Sequence, residues 1–204
     1  MKIKQTAATK IRSTNLGIAA RAAKILRQHF DNRLPFPKNG FMQCHFVGAI
    51  INWLGNNDAA SLPPEDNLGY INGFAFNAAA SVAALWKVPL QITKENDGLL
   101  RMYIPAFIPA EKLLVPPGTV EIRCTIVAAS WNWLQPNLQN NAGHRLLIPF
   151  TGNLFPAQDI PLAVPASRGC LLVTIVSLEF IMKDGERDNR VRYLPCNVVD
   201  ARYC

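Results

Sequence analysis

Apolar and polar residues follow three different rhythms along the chain. Residues 1–12 open with Met1, Ile3 and Gln5 on one side of an extended segment and Lys2 and Lys4 on the other. That period of two predicts a strand able to pair with a sheet edge. Behind a capping group at Ser13, Thr14 or Asn15, the spacing lengthens. Ile18, Ala22, Ile25, Leu26 and Phe30 recur at helical intervals, with Arg21, Lys24 and Arg27 on the other side. Pro35 and Pro37 end that helix. Phe41 to Leu54 is a second apolar run of helical length, closed by Gly55, and a loop with Pro63-Pro64 follows. Gly73 to Asn77 reads as the start of a strand, and the alanines from Ala78 to Ala84 favour a short helix.

After Lys87 the chain becomes strand-like. Val88 to Thr93, Leu99 to Phe107 and Thr119 to Ala129 are joined by His144 to Phe150, Ile160 to Val164, Gly169 to Met182 and Asn189 to Asp200. In the third run Val120, Ile122, Cys124 and Ile126 alternate with Glu121, Arg123 and Thr125. Asp97-Gly98 is a hairpin signal, and Lys183 to Glu186 a turn. The pattern predicts a mainly β (α+β) chain: an immunoglobulin-like antiparallel β-sandwich of about seven strands, preceded by a basic arm and helical segments. It divides into an arm (1–14), a helical and loop segment packing on the body (15–87), and the sandwich (88–204).

Charge separates the arm from the body. Residues 1–38 hold Lys2, Lys4, Lys10, Arg12, Arg21, Lys24, Arg27, Arg33 and Lys38 against a single acid, Asp31, while the formal net charge of the whole chain is +7. A basic arm on a near-neutral body reads as a segment that seeks a partner. No apolar run reaches the ~18 residues of a membrane span, and no leader of the usual form is visible. Cys44, Cys124, Cys170, Cys196 and Cys204 show no Cys-x-x-Cys spacing. They read as buried apolar thiols, or as disulfides in an oxidising compartment, with Cys204 at the chain end as the thiol that the odd count leaves over.

The candidate chemistry is sparse. His29, His45 and His144 are the three histidines, and Cys44-His45 are adjacent helix positions that do not face each other. Asp58, Glu65 and Asp66 concentrate acid in one loop but lack an EF-hand pattern. Neither a nucleophile elbow nor a glycine-rich phosphate loop occurs. The expectation is a protein without catalytic residues, cofactor or metal. Trp131 and Trp133 flank Asn132 and would share one face of an extended segment. Exposed, they would form an aromatic platform for sugars; buried, they would be core, as Trp53 and Trp86 are expected to be.

Several stretches look familiar as a set. The basic N-terminal segment and its Ala-rich helix come first, then Gly73-Phe74-Ala75-Phe76-Asn77. Phe107-Ile108-Pro109-Ala110-Glu111-Lys112-Leu113 leads into Pro117-Gly118-Thr119-Val120-Glu121-Ile122-Arg123, and Leu178-Glu179-Phe180, Asp184-Gly185 and Val198-Val199-Asp200-Ala201-Arg202-Tyr203 close the chain. In this order they resemble an uncharacterised bacterial family catalogued as a domain of unknown function. The resemblance implies a β-sandwich with an N-terminal extension, a role as a self-assembling surface fibre subunit, and no catalytic residue.

The residues and the resemblance converge on one expectation, an extracellular homopolymer joined by strand addition. Lys2, Ile3, Lys4, Ala7, Lys10, Ile11 and Arg12 form its assembly arm, whose charge meets carboxylates on the next copy. Two rivals belong to other classes. One binds nucleic acid through Arg21, Lys24 and Arg27; the other binds glycans on Trp131 and Trp133.

Overall fold

The computed structural model describes residues 6–31, 40–55, 65–95, 99–132, 135, 139–164 and 168–204. Two long helices come first, α1 (Ala7–Asp31) and α2 (Gly40–Leu54). Two short ones follow, α3 (Val82–Leu85) and α4 (Pro109–Lys112). Among the described residues there are seven strands, β1 (Gln91–Lys94), β2 (Leu100–Ile104), β3 (Thr119–Asn132), β4 (Gln139–Pro149), β5 (Gln158–Leu162), β6 (Cys170–Met182) and β7 (Cys196–Tyr203). They make two antiparallel sheets, ordered β4-β3-β6-β7 and β1-β2-β5. The expected mainly β, α+β architecture of sandwiched sheets is the one observed.

The larger sheet is the middle of three layers. Side chains alternate across a strand, so each face collects one parity of residue. Ile122, Cys124, Ile126 and Ala128 of β3 join Leu172, Val176, Leu178 and Phe180 of β6 in a core shared with Leu100, Met102, Ile104, Ile160 and Leu162 of the smaller sheet. Val127, Ala129 and Trp131 of β3, with Leu171, Val173 and Ile175 of β6, face the helices instead. There Ala19, Ala22, Ala23, Leu26 and Phe30 of α1 and Phe46, Ile50 and Trp53 of α2 cover them. The alanines let α1 lie close to its neighbours. Phe46, Phe74 and Phe76 form a ring cluster with centroids 5.0–5.1 Å apart, a spacing at which aromatic pairs add to simple burial.

The helices cover only part of the sheet. Glu121 and Arg123 lie past their edge, half-exposed, and pair with each other, whereas β3 is buried on both faces from Cys124 onward. β7 keeps its apolar face toward the helices through a register shift opposite Thr174/Ile175, which changes the parity from Cys196 and Val198 to Ala201. Gly73 to Phe76 lies along the other side of β7, with Gly73 N–H donating to Val198 O and Phe76 N–H to Cys196 O.

Three expectations change. The helix predicted from about Asn15 starts eight residues earlier, so Ala7, Lys10, Ile11 and Arg12 are helical and not part of an extended arm. The Thr6 hydroxyl explains this: it accepts from Thr9 N–H (3.2 Å) and caps a first turn containing two alanines. Asn15 is not a cap of its own helix. It is buried, and its Nδ2 donates to Gly55 O (3.3 Å), serving the end of α2. The strand predicted over Asn189 to Asp200 starts only at Cys196, because Val191–Tyr193 is a 3₁₀ turn. The Asn77 amide holds that turn by donating to Val191 O and Leu194 O. The hairpin signal at Asp97-Gly98 lies outside the described residues, although the strands flanking it pair antiparallel.

Candidate functional site

Two features of this scaffold face outward, the N-terminal half of α1 and the outer edge of β4. Before Asn15, α1 buries none of the side chains described; Lys10, Arg12, Ser13 and Thr14 are exposed and Ile11 is half-buried. At 3.6 residues per turn, Lys10, Arg21, Lys24 and Gln28 fall within about 60° of one another on the face away from the core. Among the described residues no carboxylate pairs with Lys10, Arg21 or Lys24. Arg27 is engaged differently, donating from Nη1 to Gln43 Oε1 (2.8 Å). Six of the described carboxylates are matched internally. Glu95 and Asp159 hold Arg101, Glu121 holds Arg123, Glu179 holds Arg187, Asp188 holds Arg190 and Asp200 holds Arg202. Asp188 is almost buried, and hydrogen bonding from the Arg190 side chain holds its carboxyl below the usual range despite that burial.

β4 ends the larger sheet, and among the described residues no strand pairs with its outer side. The direction of its amides follows from the ladder. Phe150 N–H donates to Val120 O in continuation of the β3–β4 register, so even-numbered residues turn their N–H toward β3. Asn141, Gly143, Arg145 and Leu147 therefore point theirs outward. Pro149, which has no N–H, takes the next outward position, where proline is tolerated in a strand. Leu147 is 53% exposed beside this edge. β4 carries His144 and Arg145 and no acid. The far end of α1 reaches it, with Asn141 Nδ2 hydrogen-bonded to His29 Nδ1 (2.9 Å).

The remaining candidates fare differently. Lys2, Ile3, Lys4, Trp133 and Asp58 lie outside the described residues. Trp131 is 1% exposed and belongs to the core between helices and sheet, which removes it from any aromatic platform. Its parity, opposite Leu171 on the helix-covered face, is the cause. Trp53 and Trp86 are buried as expected. Cys44 and His45 are exposed on α2, beside a groove of about 410 Å³ that His45 shares with Met42 and Phe74. Glu65 and Asp66 open a 3₁₀ turn. All five cysteines are free thiols; burial pushes Cys124 up to about 12 and Cys196 well above its ordinary value, so neither is a nucleophile at neutral pH. Among the described residues no three His, Cys, Asp or Glu converge as metal ligands, and no helix is long and apolar enough to cross a membrane.

The open edge of β4 and the Thr6 cap are the features that sequence reasoning missed. Pro149 at the end of an apolar alternation was the available signal for the first, and Thr-Ala-Ala-Thr for the second. No protein-family model matches the chain, and neither curated proteins nor solved structures show significant similarity to it.

Proposed function

We propose that this chain is a structural subunit that joins copies of itself into a fibre by strand addition, with β4 as the acceptor and the segment bearing Lys2, Ile3 and Lys4 as the donor. The observation that carries this reading is the unpaired outer edge of β4, with its row of N–H groups at Asn141, Gly143, Arg145 and Leu147. Exposed edges are templates for another strand, and main-chain hydrogen bonds supply the affinity. The start of α1 at Ala7 confines the donor to the residues before Thr6, unless the exposed first turns unwind to lengthen it. A head-to-tail joint of this kind propagates when the rotation between copies does not close a ring. The fibre-subunit role implied by the resemblance to an uncharacterised bacterial family is consistent with this reading, and extracellular placement goes with it.

Charge acts against the joint. β4 offers Arg145 to lysines on the donor, so repulsion slows encounter at low ionic strength and assembly strengthens with salt. Negative-stain microscopy of the full chain, a variant lacking residues 1–5 and Leu147→Pro is the test. Filaments from the full chain alone support the reading. Discrete particles from all three overturn it, and filaments from Leu147→Pro remove β4 as the acceptor.

A second reading, nucleic-acid binding, is favoured by the unpaired strip of Lys10, Arg21 and Lys24. If these three side chains meet phosphates on duplex DNA, the logarithm of the binding constant falls with the logarithm of salt at a slope of about −2.7. A salt-independent constant would remove it.

A further inference from the structure

The end of the larger sheet holds two thiols in register. β6 and β7 pair Leu171 with Tyr203, and one step further Cys204 N–H donates to Cys170 O (3.0 Å). Gly169, at φ +81°, sends its own N–H to Cys204 O. This is a glycine bulge, in which Gly169 and Cys170 together oppose Cys204. Cys170 and Cys204 are thus direct cross-strand neighbours. Hydrogen-bonded antiparallel pairs have Cα atoms about 5.5 Å apart, inside the ~4.4–6.8 Å that a disulfide spans. Their side chains share a face: Cys170 has the parity of Leu172, and Cys204 packs against the core that contains Leu172. Asn132, opposite Cys170 on β3, is buried and donates from Nδ2 to Cys170 Sγ (3.4 Å) and Arg168 O (3.2 Å). This amide holds the sulfur from the β3 side.

No other pair has this relation. Cys124 faces the smaller sheet and Cys196 the helices, so the larger sheet separates them. Cys44 is exposed on α2.

We propose that Cys170 and Cys204 are a dithiol site that closes to a cross-strand disulfide by exchange with a low-molecular-weight disulfide of the glutathione type. Cys204 is half-exposed and is the entry point. Its thiolate attacks one sulfur of the oxidant, forms a mixed disulfide and expels the first small thiolate. Cys170, buried and directly opposite, then attacks the Cys204 sulfur and expels the second. Two protein thiols become one disulfide, and the oxidant, taking up two electrons and both protons, becomes two thiols. Burial of Cys170 is no obstacle, since its step is intramolecular.

The test is to incubate the folded full chain with oxidised glutathione, block remaining thiols with an alkylating agent, and map peptides without reduction. The expected product links Cys170 to Cys204 and leaves Cys44, Cys124 and Cys196 alkylated after unfolding. Cys170→Ser should trap glutathione on Cys204, and Cys204→Ser should leave Cys170 unmodified. Closing the loop of residues 171–203 should also raise the thermal midpoint, by up to about 7–15 °C. A glutathione adduct that persists on Cys204 in the full chain overturns the proposal. So does a link to any other cysteine, or five free thiols after exposure. The peptide map of the unaltered chain decides the matter if either serine variant fails to fold.

Discussion

Thr125 and Ser177 sit opposite each other on β3 and β6, 4% and 0% exposed, and neither hydroxyl has a hydrogen-bond partner. A buried hydroxyl without a partner costs about 1–3 kcal/mol. Thr125→Val keeps the side-chain shape, removes that cost and adds a buried methyl, so we expect it to stabilise the fold by about 1–2 kcal/mol. Ser177→Ala removes the same kind of group without filling space and should gain about 1 kcal/mol. The double variant should gain about 2–3 kcal/mol less the coupling expected between neighbouring side chains, raising the thermal midpoint by about 2–4 °C per kcal/mol. Urea denaturation with an unchanged slope is the assay, since a constant slope attributes the midpoint shift to stability. A loss of 1 kcal/mol or more in either single variant would refute the reasoning. A loss in both singles recovered in the double would show that the hydroxyls bond to each other.

Further expectations concern the core, the helix start and acid stability. Trp131→Ala should destabilise by about 3–5 kcal/mol, because the ring fills the layer between helices and sheet, and a loss under 1 kcal/mol by denaturant titration would contradict its burial. Thr6→Ala should weaken the start of α1 by about 1 kcal/mol and speed amide exchange in its first turn, while global stability stays unchanged. Asp188 has a lowered carboxyl pKa in the folded chain. Its stabilising contribution is therefore complete above the ordinary value of about 3.9 and is lost as pH falls through the lower folded value. Asp188→Asn should flatten the acid limb of a stability–pH profile below about pH 4; parallel limbs in the two proteins would exclude this role.

Legibility in the sequence followed how many faces of an element meet water. Ile122, Cys124 and Ile126 could be assigned to one face because Glu121 and Arg123 mark the other. From Val127 to Trp131 both faces are covered, so alternation vanishes and the strand ran longer than its pattern. α2 was legible from its continuous apolar run and from Gly55, whose φ of +59° suits the residue that ends a helix. The start of α1 was not, since Ser13, Thr14 and Asn15 look like caps while Asn15 serves a residue forty positions away. β7 was obscured by its bulge, which changes parity between Val198 and Ala201. Of the candidate site, the unpaired charge of α1 could be read directly. The edge position of β4 and the meeting of Cys170 with Cys204 depend on strand order and register, which no local pattern encodes.

The helices made first rest on the strands made last. During translation, at about 5–20 residues per second, Phe30 and Trp53 emerge on the order of 10 s before Val173 and Ala201 exist to cover them. A nascent chain thus carries two helices with their oily stripes bare for most of its synthesis. Its demand for chaperones should peak just before β6 and β7 leave the ribosome, and a stop codon in that interval should yield aggregate, not a smaller fold.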